Sequence, residues 1–330
     1  MGTLFCSNCG GSADEGAAFC MHCGQKIETR PAAKVSDSDR KEALRRIAEA
    51  VSSRKRTDRM VSSLWIIAPL VILTLVGLTA VALSVSTTLD ILDDYNRYEG
   101  MPDLQEMFSG LETILTSLQV VYFGAFLMIA KLSYDLILRQ QQHFERERSL
   151  RQAIMQLVDK TEGRFYYSLP SDAERSRMPL LWPMFIIIPP IVSSLWTYAM
   201  LYEFTEWSEH YATIVPLYIV SFLCYIVSLY MLHFLTKEMI GHHGRWCGFT
   251  METKVELARM GYVAGHLRTP LALPDRSSLI YVVGTIFTGG LFAFYWFYVI
   301  IKDGNNHFEN QRLFEDQLLK LLDKAPDGAP

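Results

Sequence analysis

An excess of basic residues is missing: 31 Lys and Arg stand against 35 Asp and Glu, for a net charge of −4. The chain therefore lacks the electrostatic footprint of a nucleic-acid binder. Cysteine is scarce. Of six cysteines, four lie in the first 23 residues, and Cys224 and Cys247 stand far apart. That pattern lays out no secreted disulfide framework. The short signatures of catalysis are also missing. There is no HExxH, no GxSxG, no Walker loop and no dinucleotide glycine motif opening a helix after a strand. A cleavable signal peptide is not expected. The first apolar run begins near Val61, behind a long charged segment, and exceeds the length of a signal core.

What is present is apolar length. Hydrophobic residues make up 50% of the chain, an ordinary share, but they gather in runs. These are Leu64–Val85, Ile114–Ile137, Leu180–Leu201, Ile214–Leu235 and Leu279–Ile301. A bilayer core about 30 Å thick needs roughly 20 such residues per helix. The expected fold class is mainly α: a polytopic helical membrane protein with repeated helical hairpins, plus a small N-terminal zinc ribbon of short β-hairpins. The expected boundaries are a zinc ribbon at 1–26, a linker and basic amphipathic helix at 27–60, and a transmembrane hairpin at 61–137. A cytoplasmic helical linker at 138–179, a second hairpin at 180–236 and a second cytoplasmic linker at 237–278 follow. A transmembrane or re-entrant segment at 279–302 precedes an amphipathic helix and frayed tail at 303–330. Within 27–60 the spacing predicts a helix over 39–58, capped by Ser38 or Asp39, with Leu44, Ile47 and Val51 on one face.

Orientation follows the Lys and Arg count between runs. Residues 26–63 carry eleven, 87–112 carry one, 138–180 carry eight, 203–213 carry none and 236–278 carry six. The expected protein sits in the cell membrane with its N-terminus cytoplasmic. The last run is ambiguous by charge, but it contains Thr288-Gly289-Gly290 at its middle. A glycine pair permits a break, and two half-helices on one face would return the C-terminus to the cytoplasm.

Internal similarity favours that return. Tyr134 and His143, His233 and His242, and Tyr298 and His307 share one nine-residue offset. HFERER from His143 resembles HFENQR from His307, and Lys237-Glu238 before His242 matches Lys302-Asp303 before His307. If these are repeats, His143, His242 and His307 lie on one side of the membrane. Glu238/His242 and Asp303/His307 are spaced i, i+4, so each pair shares a helix face and could supply a second metal site or a pH-sensitive ion pair. The first repeat breaks the pattern, with Arg139 where the acid would stand. Ordinary helix-exit histidines bonded to backbone or headgroups are the plainer reading. Lys131 and Asp135, one turn apart, are expected to pair or to reach the interface.

The strongest chemical signal is Cys6-x2-Cys9 with Cys20-x2-Cys23. Two intervening residues let one tight turn aim both sulfurs at a single ion, and Gly10 and Gly24 relax each turn. Phe5 and Phe19 can pack on one another. Four thiolates complete a tetrahedral Zn²⁺ shell, so the ion is structural. Iron could also take four thiolates, and disulfides are disfavoured in the cytoplasm. Residues 4–26 resemble the short zinc-ribbon family found on prokaryotic membrane proteins. Thr288-x-Gly290-Leu291-Phe292-x2-Tyr295-Trp296 resembles the motif of a family of small membrane proteins of unknown function; the likeness covers residues 276–312. It implies architecture and no activity.

The function expected from these features is a non-enzymatic membrane scaffold or sensor whose zinc ribbon recruits a cytoplasmic protein. The other expected contact is the lipid bilayer; a homo-oligomer is compatible, and no nucleic acid is expected. The alternatives are a transporter or channel component, and a membrane-embedded enzyme.

Overall fold

The computed structural model describes residues 3–5, 12–14, 19–20, 23, 36–98, 104–158, 179–202 and 207–324. At the N-terminus, β1 (Thr3–Phe5) pairs antiparallel with β2 (Ser12–Asp14), with Phe5 opposite Ser12. Cys6 and Cys9 lie outside the described residues. Cys20 is buried and Cys23 exposed. Phe19, expected as a packing partner of Phe5, is 58% exposed.

Helix α1 (Asp37–Ser52) begins earlier than expected, at an N-cap on Ser36. The Ser36 hydroxyl accepts from the Asp39 N–H at 3.1 Å. This placement puts Asp37 and Asp39 in the first turn, against the positive end of the helix dipole. The apolar face is buried: Ala43, Ile47, Ala50 and Val51 join Leu150, Ala153, Ile154 and Leu157 of α4 and Phe314 and Leu318 of α8 in one core. A short helix α2 (Arg54–Thr57) follows.

The body consists of α3 (Leu64–Tyr98), α4 (Leu104–Leu157), α5 (Leu181–Tyr202), α6 (Trp207–Arg259), α7 (Ser278–Phe287) and α8 (Leu291–Leu322). Successive helices α3 to α6 pack on one another, and α8 packs on α3, α6 and α7. Helix α4 has 54 residues and α6 has 53. At 1.5 Å per residue each is roughly 80 Å long, well over twice the thickness of a bilayer core. The first parts of the expected linkers, up to Leu157 and Arg259, are thus continuations of α4 and α6. Each of these helices is apolar in its first half and polar in its second.

Helices α3, α4 and α6, over Leu64–Asp90, Ile114–Leu157 and Val215–Arg259, each include a stretch long and apolar enough to cross a membrane. The apolar stretch of α5, Leu181–Trp196, is shorter. Large apolar side chains such as Leu75, Leu78, Val81 and Phe222 are exposed along these helices. Contiguous exposed apolar faces of this extent need an apolar neighbour. Lys131 and Asp135 form the expected ion pair on α4.

The fifth apolar run is not one helix. Gly289 and Gly290 have φ of 58° and 99°, the left-handed region that favours glycine. The Gly290 N–H donates to Thr285 O at 2.8 Å, closing α7. The Thr288 hydroxyl accepts from the Phe292 N–H at 2.9 Å, opening α8. The chain folds back so that the Tyr281 ring stacks 5.4 Å from Trp296. A Cβ on Gly284 would stand 2.7 Å from the Phe292 ring, so this close approach requires glycine.

Two apolar cores result. One gathers Leu136, Leu232, Trp296 and Ile300; the other gathers Trp246, Phe249, Leu257 and Phe314. Between them α4, α6 and α8 carry a layer of buried polar side chains that includes His143, Glu147, His242, His243, His307, Gln311 and Glu315.

Candidate metal centre

Each of three helices brings one histidine to a common point in this layer, beyond Ile137, Leu235 and Ile301 where the apolar runs end. His143 comes from α4, His242 from α6 and His307 from α8, and Glu147 follows His143 by one helical turn. The four residues are 0% or 1% exposed. One ligand atom from each lies within 4.8 Å of the others. His143 Nε2 is 3.0 Å from His307 Nε2, 3.3 Å from His242 Nε2 and 3.4 Å from Glu147 Oε2. His242 Nε2 is 2.9 Å from Glu147 Oε2.

The surrounding bonds decide where the protons are. His243 Nε2–H donates to Leu271 O at 2.8 Å, which leaves His243 Nδ1 as an acceptor. It receives the Nδ1–H of His307 at 2.8 Å, so the His307 Nε2 lone pair faces the centre. On the other side His143 Nδ1–H donates to Asp58 Oδ1 at 3.0 Å, and the His143 Nε2 lone pair also turns inward. The His143 and His307 Nε2 atoms thus face each other at 3.0 Å, with both Nδ1 positions tied to outer partners. Glu147 Oε1 accepts from Arg151 Nε at 2.6 Å, while Oε2 is buried with no well-formed hydrogen bond. Nitrogen and carboxylate atoms this close repel unless a proton or a metal cation lies among them.

A charged shell holds this arrangement. Arg146 donates to Asp58 Oδ2 at 2.7 Å and to Glu315 Oε1 at 2.7 Å. Gln311 donates to the same Glu315 oxygen at 2.9 Å, and Arg54 reaches Glu315 at 3.4 Å. Burial would lift the Glu147 carboxyl, but the charges of Arg151 and His242 hold it well below the usual range. Burial, together with the charges of His242 and His143, pushes His307 well below an ordinary imidazole, so it stays neutral. For Asp58, burial is outweighed by the His143 and Arg146 charges, and its value falls to about 2. An anionic carboxylate, a neutral imidazole and fixed tautomers form the donor set that a divalent cation needs.

The structure brings together the three repeat histidines named from the sequence, but not with the acids named beside them. Asp303 accepts from Arg276 Nε at 2.6 Å. Glu238 lines a small cleft with Gln140, Phe144 and Trp182. The acid whose oxygen lies among the histidine nitrogens is Glu147. Its signal was His-x3-Glu within HFERER, an i, i+4 spacing C-terminal to the histidine rather than N-terminal to it. Arg139, in the place of the missing acid, is buried and donates to Asn305 Oδ1 at 2.8 Å. His243 lies in a run, His242 to Cys247, that is dense in potential ligands and reads from sequence as an exposed loop, whereas it is buried within α6. Arg151 follows Glu147 by an i, i+4 spacing on α4. Asp58 had no signature, since its role depends on helix packing. Gly289 and Gly290 occupy the turn between α7 and α8, at the N-terminal end of α8 and away from His307 in its middle. The chain matches no protein-family model, no characterised protein and no solved structure.

Proposed function

We propose that this chain is a non-enzymatic, multi-pass membrane protein whose helices extend into a cytoplasmic bundle that binds a divalent transition metal. The metal is held by His143, Glu147, His242 and His307, and its binding ties α4, α6 and α8 together where they leave the bilayer. The observation that carries this reading is the convergence of ligand atoms from three helices to within 4.8 Å, with His143, His307 and Glu147 held from behind by Asp58, His243 and Arg151. Binding energy at such a site is also folding energy, because the ligands are far apart in the unfolded chain. A bundle tightened by metal suits a sensor or scaffold. In the same reading Cys6, Cys9, Cys20 and Cys23 hold a separate structural Zn²⁺, and that zinc ribbon recruits a cytoplasmic protein. The charge pattern supports a cytoplasmic N-terminus, and the turn at Gly289 and Gly290, with α7 and α8 entering and leaving on one face, supports a cytoplasmic C-terminus.

Elemental analysis of the purified full chain in detergent tests this. Two metal ions per chain are expected. His143→Ala with His307→Ala should lose one and keep the other; Cys6→Ser with Cys9→Ser should do the reverse. Metal content unchanged by the histidine substitutions would overturn the reading of the buried centre. Pull-downs from cytoplasm should lose a partner with the cysteine variant alone; partners retained by that variant would sink recruitment by the ribbon.

A further inference from the structure

Resting on that metal-binding reading, we infer that the buried centre is a closed, four-coordinate zinc-class site, with Asp58 and His243 as positioning residues and no coordination position open to a substrate. Three imidazole nitrogens and one carboxylate oxygen offer too few oxygens for calcium or magnesium, which take six or more. No sulfur is among them, as copper(I) would prefer.

The distances then choose a geometry. In a planar set of four ligands, any three include one pair on opposite sides of the metal, roughly 4 Å apart for bonds of the usual length. His143, His242 and Glu147 form a triangle with sides of 3.3, 3.4 and 2.9 Å. No pair among them is opposed, so the planar arrangement of copper(II) is excluded. A tetrahedron with metal–nitrogen bonds of 2.0–2.1 Å has edges of about 3.3–3.4 Å. An octahedron has edges of roughly 3.0 Å at the same bond length, so the edges alone sit between the two.

Packing separates them. An octahedral ion would need two further ligands, and the centre is walled off. The Phe144 ring lies 4.1 Å from the His242 ring, and the Phe308 ring lies 4.5 Å from the His143 ring. All four ligand residues are buried to within 1% of completely. The protein itself supplies a fourth ligand atom, His307 Nε2, 3.0 Å from His143 Nε2 and within 4.8 Å of the other two. Its ring cannot turn away without breaking the His307–His243–Leu271 chain of hydrogen bonds. Asp58 does the same for His143 from the side of α2. Such outer partners fix ring orientation and tautomer, and losing one weakens metal affinity by roughly 10- to 100-fold.

Cobalt(II) is the probe. The full chain, carrying serine at Cys6, Cys9, Cys20 and Cys23, is stripped of metal in detergent and titrated with cobalt(II). One equivalent should produce the intense visible bands of four-coordinate cobalt, and one equivalent of zinc should erase them. Asp58→Asn and His243→Phe should keep the band positions while weakening binding by roughly 10- to 100-fold. Weak, six-coordinate bands that shift on adding azide would overturn the closed site while leaving metal binding intact. Undiminished affinity in both positioning variants would overturn their assigned roles. Uptake of neither cobalt nor zinc would instead sink the metal-binding reading on which this inference stands.

Discussion

Replacing Arg146 with methionine isolates the charge that holds the polar layer together. The guanidinium is 2% exposed, and its carboxylate partners Asp58 and Glu315 are 3% and 0% exposed. Methionine keeps much of the apolar stem and removes five donors. Two buried carboxylates are then left with Arg54, which reaches Glu315 at 3.4 Å, and with the imidazole of His143. Deleting one partner of a buried pair costs about 3–5 kcal/mol. Part of that cost is avoidable here. Burial already holds the Glu315 carboxyl above its ordinary range, against the pull of Arg146, so it can take up a proton. The penalty then falls mainly on Asp58, and about 3 kcal/mol is expected, the lower end of that range. Tryptophan fluorescence follows the unfolding, since Trp246 and Trp296 are fully buried. Chemical denaturation in mixed micelles should show this loss for Arg146→Met. Adding Glu315→Gln should recover about 1 kcal/mol or more relative to the sum of the single changes. A loss below about 1 kcal/mol, with additive behaviour in the double variant, would refute the claim that paired charge organises this layer.

Acid should weaken the bundle through Asp58. Its folded value of about 2 lies below the ordinary 3.8, so its contribution, roughly 2 kcal/mol, is complete above the ordinary value and is lost as pH falls toward 2. Glu315 works the other way: its folded value is raised, so its ionisation costs stability as pH rises through the ordinary carboxylate range. Acid unfolding of Asp58→Asn should lack the first component; an unchanged acid profile contradicts it. Ile47→Ala, at a fully buried position on α1, should cost about 2–4 kcal/mol in the same denaturation assay, and a change within 0.5 kcal/mol, the usual range at surface positions, would remove α1 from the core. Gly290→Ala should cost about 1–2 kcal/mol because of its φ of 99°. Gly265→Ala, with no atom within 4 Å of the added Cβ, should be near neutral; equal effects at both glycines would deny the turn its special backbone.

Much of the helical organisation was legible because apolar length and charge alternation are long-range averages that survive local detail. The break in the last run was legible because Thr288-Gly289-Gly290 is local chemistry acting on local backbone. The common nine-residue offset of His143, His242 and His307 was legible as a repeat, and the fold places all three on one point. What could not be read was the continuity of α4 and α6 past the apolar runs. A change from apolar to polar composition looks like a boundary, whereas a helix continues through it as long as its polar half finds a core of its own. That core exists because α1 returns to pack on α4. Glu147 was passed over because Glu238 and Asp303 offered a tidier match before their histidines. Asp58 could not be assigned from sequence: 85 residues separate it from His143, and only the packing of α2 against α4 joins them.

The central claim is that residues of α4, α6 and α8 bind one metal ion. X-ray absorption at the zinc edge tests it most directly, on the full chain with serine at Cys6, Cys9, Cys20 and Cys23 and one equivalent of zinc added. The expected spectrum has four nitrogen or oxygen atoms at about 2.0–2.1 Å from the metal, with the outer-shell scattering of histidine rings, lost in His143→Ala with His307→Ala. A sulfur-containing shell, a shell of six oxygens, or a spectrum indifferent to those two histidines would contradict it.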